Sequence, residues 1–241
     1  MAEAVIKTDH LTKTFGSFKA VDGISFEVAP GEIFGFLGAN GAGKTTALKM
    51  LIGLMRPSGG SATVAGFDVK RNPEQVKRRI GYMSQRFSLY EDLTVRENIR
   101  FYGGIYGLKR EDVRLKTTAM LEKLGLTADA DQLVAGLPLG WRQKLAFSVA
   151  LLHEPRIVFL DEPTSGVDPL TRRQFWDLIY EAAHEGVTLM VTTHYMDEAE
   201  YCNRVSIMVD GKIEALDTPV NLKKTFKADN MDEVFRKLAR K

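Results

Sequence analysis

The chain has 241 residues, 44% hydrophobic and 27% charged, enough to bury one sizeable core and short for two independent domains. With 33 basic and 31 acidic residues the formal net charge is +2, which leaves no nucleic-acid footprint. The single cysteine, Cys202, excludes an intrachain disulfide and a cysteine-based metal site and suits a reducing cytosol. No apolar run approaches the roughly 18 residues of a membrane span, and no signal-type apolar region opens the chain, so any membrane involved is expected to be spanned by another polypeptide.

Residues 1–30 carry two alternating runs, 5–11 and 24–28, separated by Gly16 and by Asp22-Gly23, which predicts antiparallel strands with a turn. Phe15 precedes Gly16, and the local sequence leaves open a purine-stacking ring or an ordinary core phenylalanine. Residues 32–38 are apolar enough for a buried strand. They run into Gly38, Ala39, Asn40, Gly41, Ala42, Gly43, Lys44, Thr45 and Thr46, a complete G-x-x-x-x-G-K-[ST] phosphate loop, followed by a helix through residues 47–51. Glycines let successive backbone N–H groups turn inward on phosphate oxygens, and the helix N-terminus adds unpaired donors and partial positive charge. Lys44 can reach the β- and γ-phosphates of a nucleotide, and Thr45 can ligate Mg²⁺.

A strand at 61–65 follows the turn-rich segment 56–60. The basic residues Lys70, Arg71, Lys77, Arg78 and Arg79 read as a solvated face. From about residue 88 to 154 the pattern is helical. A capping box at Thr94 and Glu97 opens one helix, a second spans about 110–124 with Gly125 as its stop, and a third begins near Gly140 and ends before Pro155. Residues 156–160 form a short apolar run, as in a parallel strand covered on both faces, ending in Asp161-Glu162. Asp168 and Pro169 fit the N-cap and first turn of a helix to about His184. A second buried strand, 187–191, ends in Thr192-Thr193-His194. A hairpin over 205–216 and an amphipathic helix carrying Met231, Val234, Phe235 and Leu238 close the chain.

The alternation predicts an α/β fold of P-loop NTPase type: a mostly parallel sheet, an N-terminal antiparallel β subdomain and an inserted α-helical subdomain. Residues 1–87 and 155–220 are read as the core, 88–154 as the helical insertion and 221–241 as a helical extension of one domain. Carboxylates at a strand's carboxyl end lie where open α/β sheets bind ligands. Asp161 can hold Mg²⁺ through water, Glu162 can orient or deprotonate the attacking water, and His194 can contact the γ-phosphate.

Together these motifs resemble the ATP-binding cassette family, the ATPase subunits of ABC transporters, over nearly the whole chain. The resemblance implies ATP and Mg²⁺ as ligands. It assigns Gln85, in the run Gly81-Tyr-Met-Ser-Gln85, to the glutamine loop that senses Mg²⁺ and the γ-phosphate. Residues 156–162 match the Walker B strand and catalytic glutamate, Ser165 to Asp168 the D-loop, and His194 the switch histidine. Phe15 takes the adenine-stacking position, with Val21 beside it. The run from Thr193 to Glu200 is most similar to the multidrug and ion exporter branch. One motif departs: the signature Leu-Ser-Gly-Gly-Gln stands here as Leu137-Pro138-Leu139-Gly140-Trp141. In the family this segment closes over ATP held by the opposite subunit of a head-to-tail dimer. Pro138 has no hydroxyl and no N–H, while the Gly140 amide and a helix N-terminus remain.

The resemblance implies a subunit at the cytoplasmic membrane face that energises a separate permease for export, working with a second cassette, in a homodimer or with a related chain. Segment 85–98 would dock the permease. With the serine absent, weak dimerisation and slow hydrolysis by the isolated chain are expected. The alternative is an ABC-type ATPase acting on nucleic acid or the ribosome, which calls for a coiled-coil insertion, a basic face or two cassettes in one chain.

Overall fold

The structure, a computed structural model, describes residues 3–85 and 89–239. The subdomain boundary expected at 87/88 falls outside the described residues, as do both chain ends and residues 86–88 of the expected docking segment.

An antiparallel hairpin opens the fold, with β1 (Ile6–Phe15) and β2 (Phe18–Val28) longer than the hydrophobic pattern implied. The turn lies at Gly16, and Asp22-Gly23 sits inside β2, where backbone pairing continues through register shifts. The alternation rule misses such a strand because each bulge resets which side chains face inward. After β3 (Ile33–Gly38) and α1 (Lys44–Leu51), β4 (Gly59–Val64) and β5 (Phe67–Asp68) complete a sheet of order β2-β1-β4-β5. A five-residue helix, α2 (Pro73–Lys77), leads into β6 (Ile80–Met83), elements too short to give a periodic signal.

The helical insertion follows. α3 (Val95–Ile105) starts on the expected capping box, with Thr94 Oγ1 accepting from the Glu97 N–H and Glu97 accepting from the Thr94 N–H. α4 (Arg110–Leu124) ends on Gly125 in the left-handed region, φ +68°. α5 (Leu139–Ala150) begins one residue before Gly140 with Pro138 as its N-cap. The core resumes with β7 (Ile157–Asp161), α6 (Pro169–His184), β8 (Thr188–Thr193), β9 (Arg204–Val209) and β10 (Lys212–Asp217). The chain closes with α7 (Pro219–Phe226), which starts just before the helical extension read at 221–241, and α8 (Met231–Ala239), the amphipathic helix within it.

Among the described residues the second sheet has the order β10-β9-β3-β8-β7-β6, parallel except for the β9–β10 hairpin. Its central strands β3, β7 and β8 are buried at every residue because both faces are covered. Ile33, Leu37, Val158, Leu160, Leu189 and Val191 join the core on the helical side, with Phe147, Phe175 and Trp176. The alternate residues Phe34, Phe36, Ile157, Phe159 and Met190 join the core under α1 and the antiparallel sheet. Parallel direction puts the carboxyl ends of β3, β6, β7 and β8 on one edge, where Gly38, Gln85, Asp161, Glu162 and His194 collect.

Candidate active site

β3 passes into α1 through the phosphate loop, and packing dictates its glycines. A Cβ on Gly43 would lie 2.2 Å from the Ala20 carbonyl oxygen, and one on Gly38 would lie 2.5 Å from that of Met208. Gly43, at φ +104°, is the N-cap of α1 and supplies no side-chain cap, so the first-turn N–H groups face the cleft without one. Beside Gly41 a Cβ would meet nothing within 4 Å, which leaves room above the loop. The resulting cleft, of about 370 Å³, is lined by Phe15, Phe18, Ala20, Asn40, Gly41, Gly43, Lys44, Thr45, Thr46, Gln85 and Glu162.

Lys44 is 4% exposed and donates to the carbonyls of Gly38 (2.8 Å) and Ala39 (3.1 Å). Burial lowers its pKa, opposed by the Glu162 carboxylate 3.6 Å away. A buried ammonium whose close partners among the described residues are two carbonyls and one carboxylate is suited to a polyanion. Thr45 Oγ1 donates to Asp161 Oδ1 at 3.2 Å, and Thr192 Oγ1 donates to the same oxygen at 2.6 Å. Asp161 is 1% exposed, and burial raises its pKa against those two hydrogen bonds. The all-oxygen pair of Thr45 and Asp161 fits the hard-ligand preference of Mg²⁺, with positions to spare for water and phosphate.

Glu162 is the point of convergence. Gln85 Nε2 lies 2.9 Å from its Oε2, and His194 Nδ1 lies 3.0 Å from the same atom. Its N–H meets the hydroxyl (3.0 Å) and the carbonyl (3.1 Å) of Thr192. Its φ of +50° is uncommon for a side chain of this size, and such strain persists where the surroundings enforce it. Behind His194, the Tyr195 ring lies 4.2 Å away and is stacked by the Arg172 guanidinium at 4.0 Å. The Arg172 Nε lies 3.6 Å from Glu198, which is fully buried and accepts from the hydroxyl of Thr164. Arg172 thus braces the segment after His194, and Glu198 ties that segment to Thr164 after Glu162.

Two expected contacts are corrected. Val21 is fully buried in the core with Ile6 and Leu11, and the cleft wall beside Phe15 is built from Phe18 and Ala20. The strand period of two carries the signal: residues 18 and 20 share one face and residue 21 turns away. Ala42 also points into the core, leaving only its backbone to the loop. Gly140 and Asp168 lie outside this cleft. With Pro138, Leu139, Trp141, Lys144 and Thr171 they line a second hollow of about 300 Å³. There Asp168 caps α6, accepting from the Leu170 and Thr171 N–H groups at 3.0 Å each. Gly140 has a packing reason of its own, since a Cβ there would lie 2.4 Å from Thr171 Cγ2.

Phosphate loop, strand-end carboxylates and the ring of Gln85, Glu162 and His194 define a P-loop domain equipped for nucleotide hydrolysis. The family model for ABC transporter proteins matches residues 21–165. The "Probable multidrug ABC transporter ATP-binding protein YbhF" of Escherichia coli (strain K12) is 52% identical over 92% of this chain, which spans 38% of that relative's length. The "Daunorubicin resistance ATP-binding protein DrrA2" of Streptomyces coeruleorubidus is 37% identical over 95% of this chain and 71% of the relative. A solved ATP-binding subunit of an ABC transporter superposes with TM-score 0.86 at 28% identity, covering 97% of this chain and 99% of that one. A bacterial ABC transporter cassette solved as a dimer gives 0.80 at 25%, covering 88% and 98%. The chain belongs to the ABC transporter family, as an ATPase domain with the P-loop fold of its structural relatives.

Proposed function

We propose that this chain hydrolyses ATP with Mg²⁺ to energise a separate integral membrane permease for export, from the cytoplasmic face and together with a second cassette. The observation that carries the chemistry is the convergence of Gln85, His194 and Lys44 on Glu162 beside the phosphate loop. Bound magnesium ATP supplies the scissile phosphoanhydride and charge neutralisation at its phosphates. Lys44 and the loop amides hold the phosphates, Thr45, Asp161 and, beyond them, Gln85 serve the metal, and Phe15 stacks on the base. Glu162 orients or deprotonates water in a site where His194 fixes its carboxylate.

The export assignment draws on relatives whose names refer to multidrug transport and daunorubicin resistance. A separate permease is supported by the absence, among the described residues, of any helix long and apolar enough to cross a membrane. The second cassette is supported by the separation of the Pro138 to Trp141 hollow from the nucleotide cleft of the same chain, and by the dimeric relative. The test is fractionation: the native chain is expected to sediment with membranes and copurify with an integral membrane protein, and changes within 89–95 are expected to uncouple it. Tight binding to DNA or ribosomes with no membrane association would overturn the transport reading.

A further inference from the structure

Arg78 and Arg79 of the basic run are exposed, as expected of a solvated face, and Lys77 is half-buried. Lys77 pairs with Glu74 at 2.7 Å on α2. Arg78 and Arg79 also line a cavity of about 500 Å³ together with Arg156, with His153, Pro155, Pro30 and Ala65 among its lining. Topology forces the approach. β6 and β7 are parallel neighbours in register, Ile80 beside Ile157, so Arg79 and Arg156 precede paired residues about 4.8 Å apart. The cavity lies at the amino ends of these strands, about 17 Å along β7 from Asp161, on the edge opposite the nucleotide cleft.

Like charges side by side on neighbouring strands repel, and the nearby carboxylates do not compensate. Glu154, at φ +55°, is turned to Lys116 of α4 and forms an ion pair there. Glu3 stands at the rim. None of the three arginines has an ion-pair partner among the described residues, and the Arg79 guanidinium lies 5.5 Å from the centre of the Phe67 ring. Three arginines lining one hollow bring the bidentate donors that phosphate oxygens accept.

We propose that this cavity is a second anion site, specific for a phosphate group, on a free phosphate compound or a lipid headgroup, and independent of the nucleotide cleft. The test uses the full chain carrying Lys44→Ala, so that the nucleotide cleft does not dominate anion binding. Inorganic phosphate is titrated by calorimetry, and cosedimentation is measured with phosphatidylcholine vesicles with and without phosphatidic acid. Saturable one-to-one phosphate binding is expected, weakened about tenfold or more by Arg78→Gln/Arg79→Gln and likewise by Arg156→Gln. In the otherwise native chain the same arginine changes should leave ATP hydrolysis unchanged, which shows that the variants fold. Phosphate binding with no dependence on phosphatidic acid identifies a free phosphate compound, and phosphatidic-acid-dependent sedimentation lost in the arginine variants identifies a headgroup. Absence of saturable binding in both arms, or binding that ignores all three arginines, overturns the proposal. Failure here leaves the ATPase reading intact, since no residue of the nucleotide cleft takes part.

Discussion

The nucleotide cleft and the hollow at the start of α5 differ in how far one chain can finish them. In the cleft the charges are buried and partnered: Lys44 pairs with Glu162, Thr45 and Thr192 hold Asp161, and Gln85 and His194 hold Glu162. In the hollow, Asp168 spends its oxygens on capping α6, Pro138 caps α5 without a side-chain hydrogen bond, and Gly140 is set by contact with Thr171. The first arrangement has the partners it needs within one chain. The second is a surface hollow at the uncapped start of α5, which under the proposed function faces a second cassette.

The largest expected effect follows from removing the centre of the cleft. Glu162→Gln should retain ATP binding and lose about 10²–10⁴ in hydrolysis rate. Lys44→Ala should weaken binding itself; unaltered turnover in Glu162→Gln, read by phosphate release, would break the assignment. Next comes the brace. Arg172→Ala leaves the fully buried Glu198 facing Thr164 without its cation, a loss of about 3 kcal/mol by urea unfolding, and Arg172→Ala/Glu198→Gln should recover much of it. Recovery of stability without recovery of kcat would assign Arg172 to positioning His194 as well as to folding.

A smaller effect distinguishes the hollow. Pro138→Ser restores the hydroxyl that the family signature carries and also gives α5 a better N-cap, worth about 1 kcal/mol of stability. If the hydroxyl matters, hydrolysis should rise by roughly tenfold, the size of one charge-assisted hydrogen bond. A gain in stability alone would mean that the α5 amides suffice. Smallest is Phe18→Ala. Beside Phe15→Ala, which should cost about 1–3 kcal/mol of ATP affinity if the ring stacks on the base, it should cost less, because Phe18 lines the wall at the hairpin end and is 64% exposed.

The cleft was legible in the sequence because each part sits at a strand end within a few residues of a buried apolar run. Gly38 to Thr46, Asp161, Glu162 and His194 all obey that rule, and the capping box at Thr94 and the stop at Gly125 were equally local. What sequence could not give is held by pairing between distant segments. The register shifts of β1 and β2 lengthened the hairpin and turned Val21 inward. The brace from Arg172 to Tyr195 and Glu198 links α6 to the segment after His194. The convergence of Arg79 and Arg156 exists only once β6 lies beside β7.

The central claim, that each chain's cleft is completed by the hollow of another, is tested by mixing two inactive chains. Lys44→Ala disables the cleft and keeps the hollow. Pro138→Asp keeps the cleft, caps α5 with a residue that favours helix starts, and sets a carboxylate where phosphate must approach. With random pairing in a two-fold dimer, half the pairs are mixed and each has one sound composite site, so ATPase activity should return to about a quarter of native. A mixture no more active than the two chains measured separately would contradict the account.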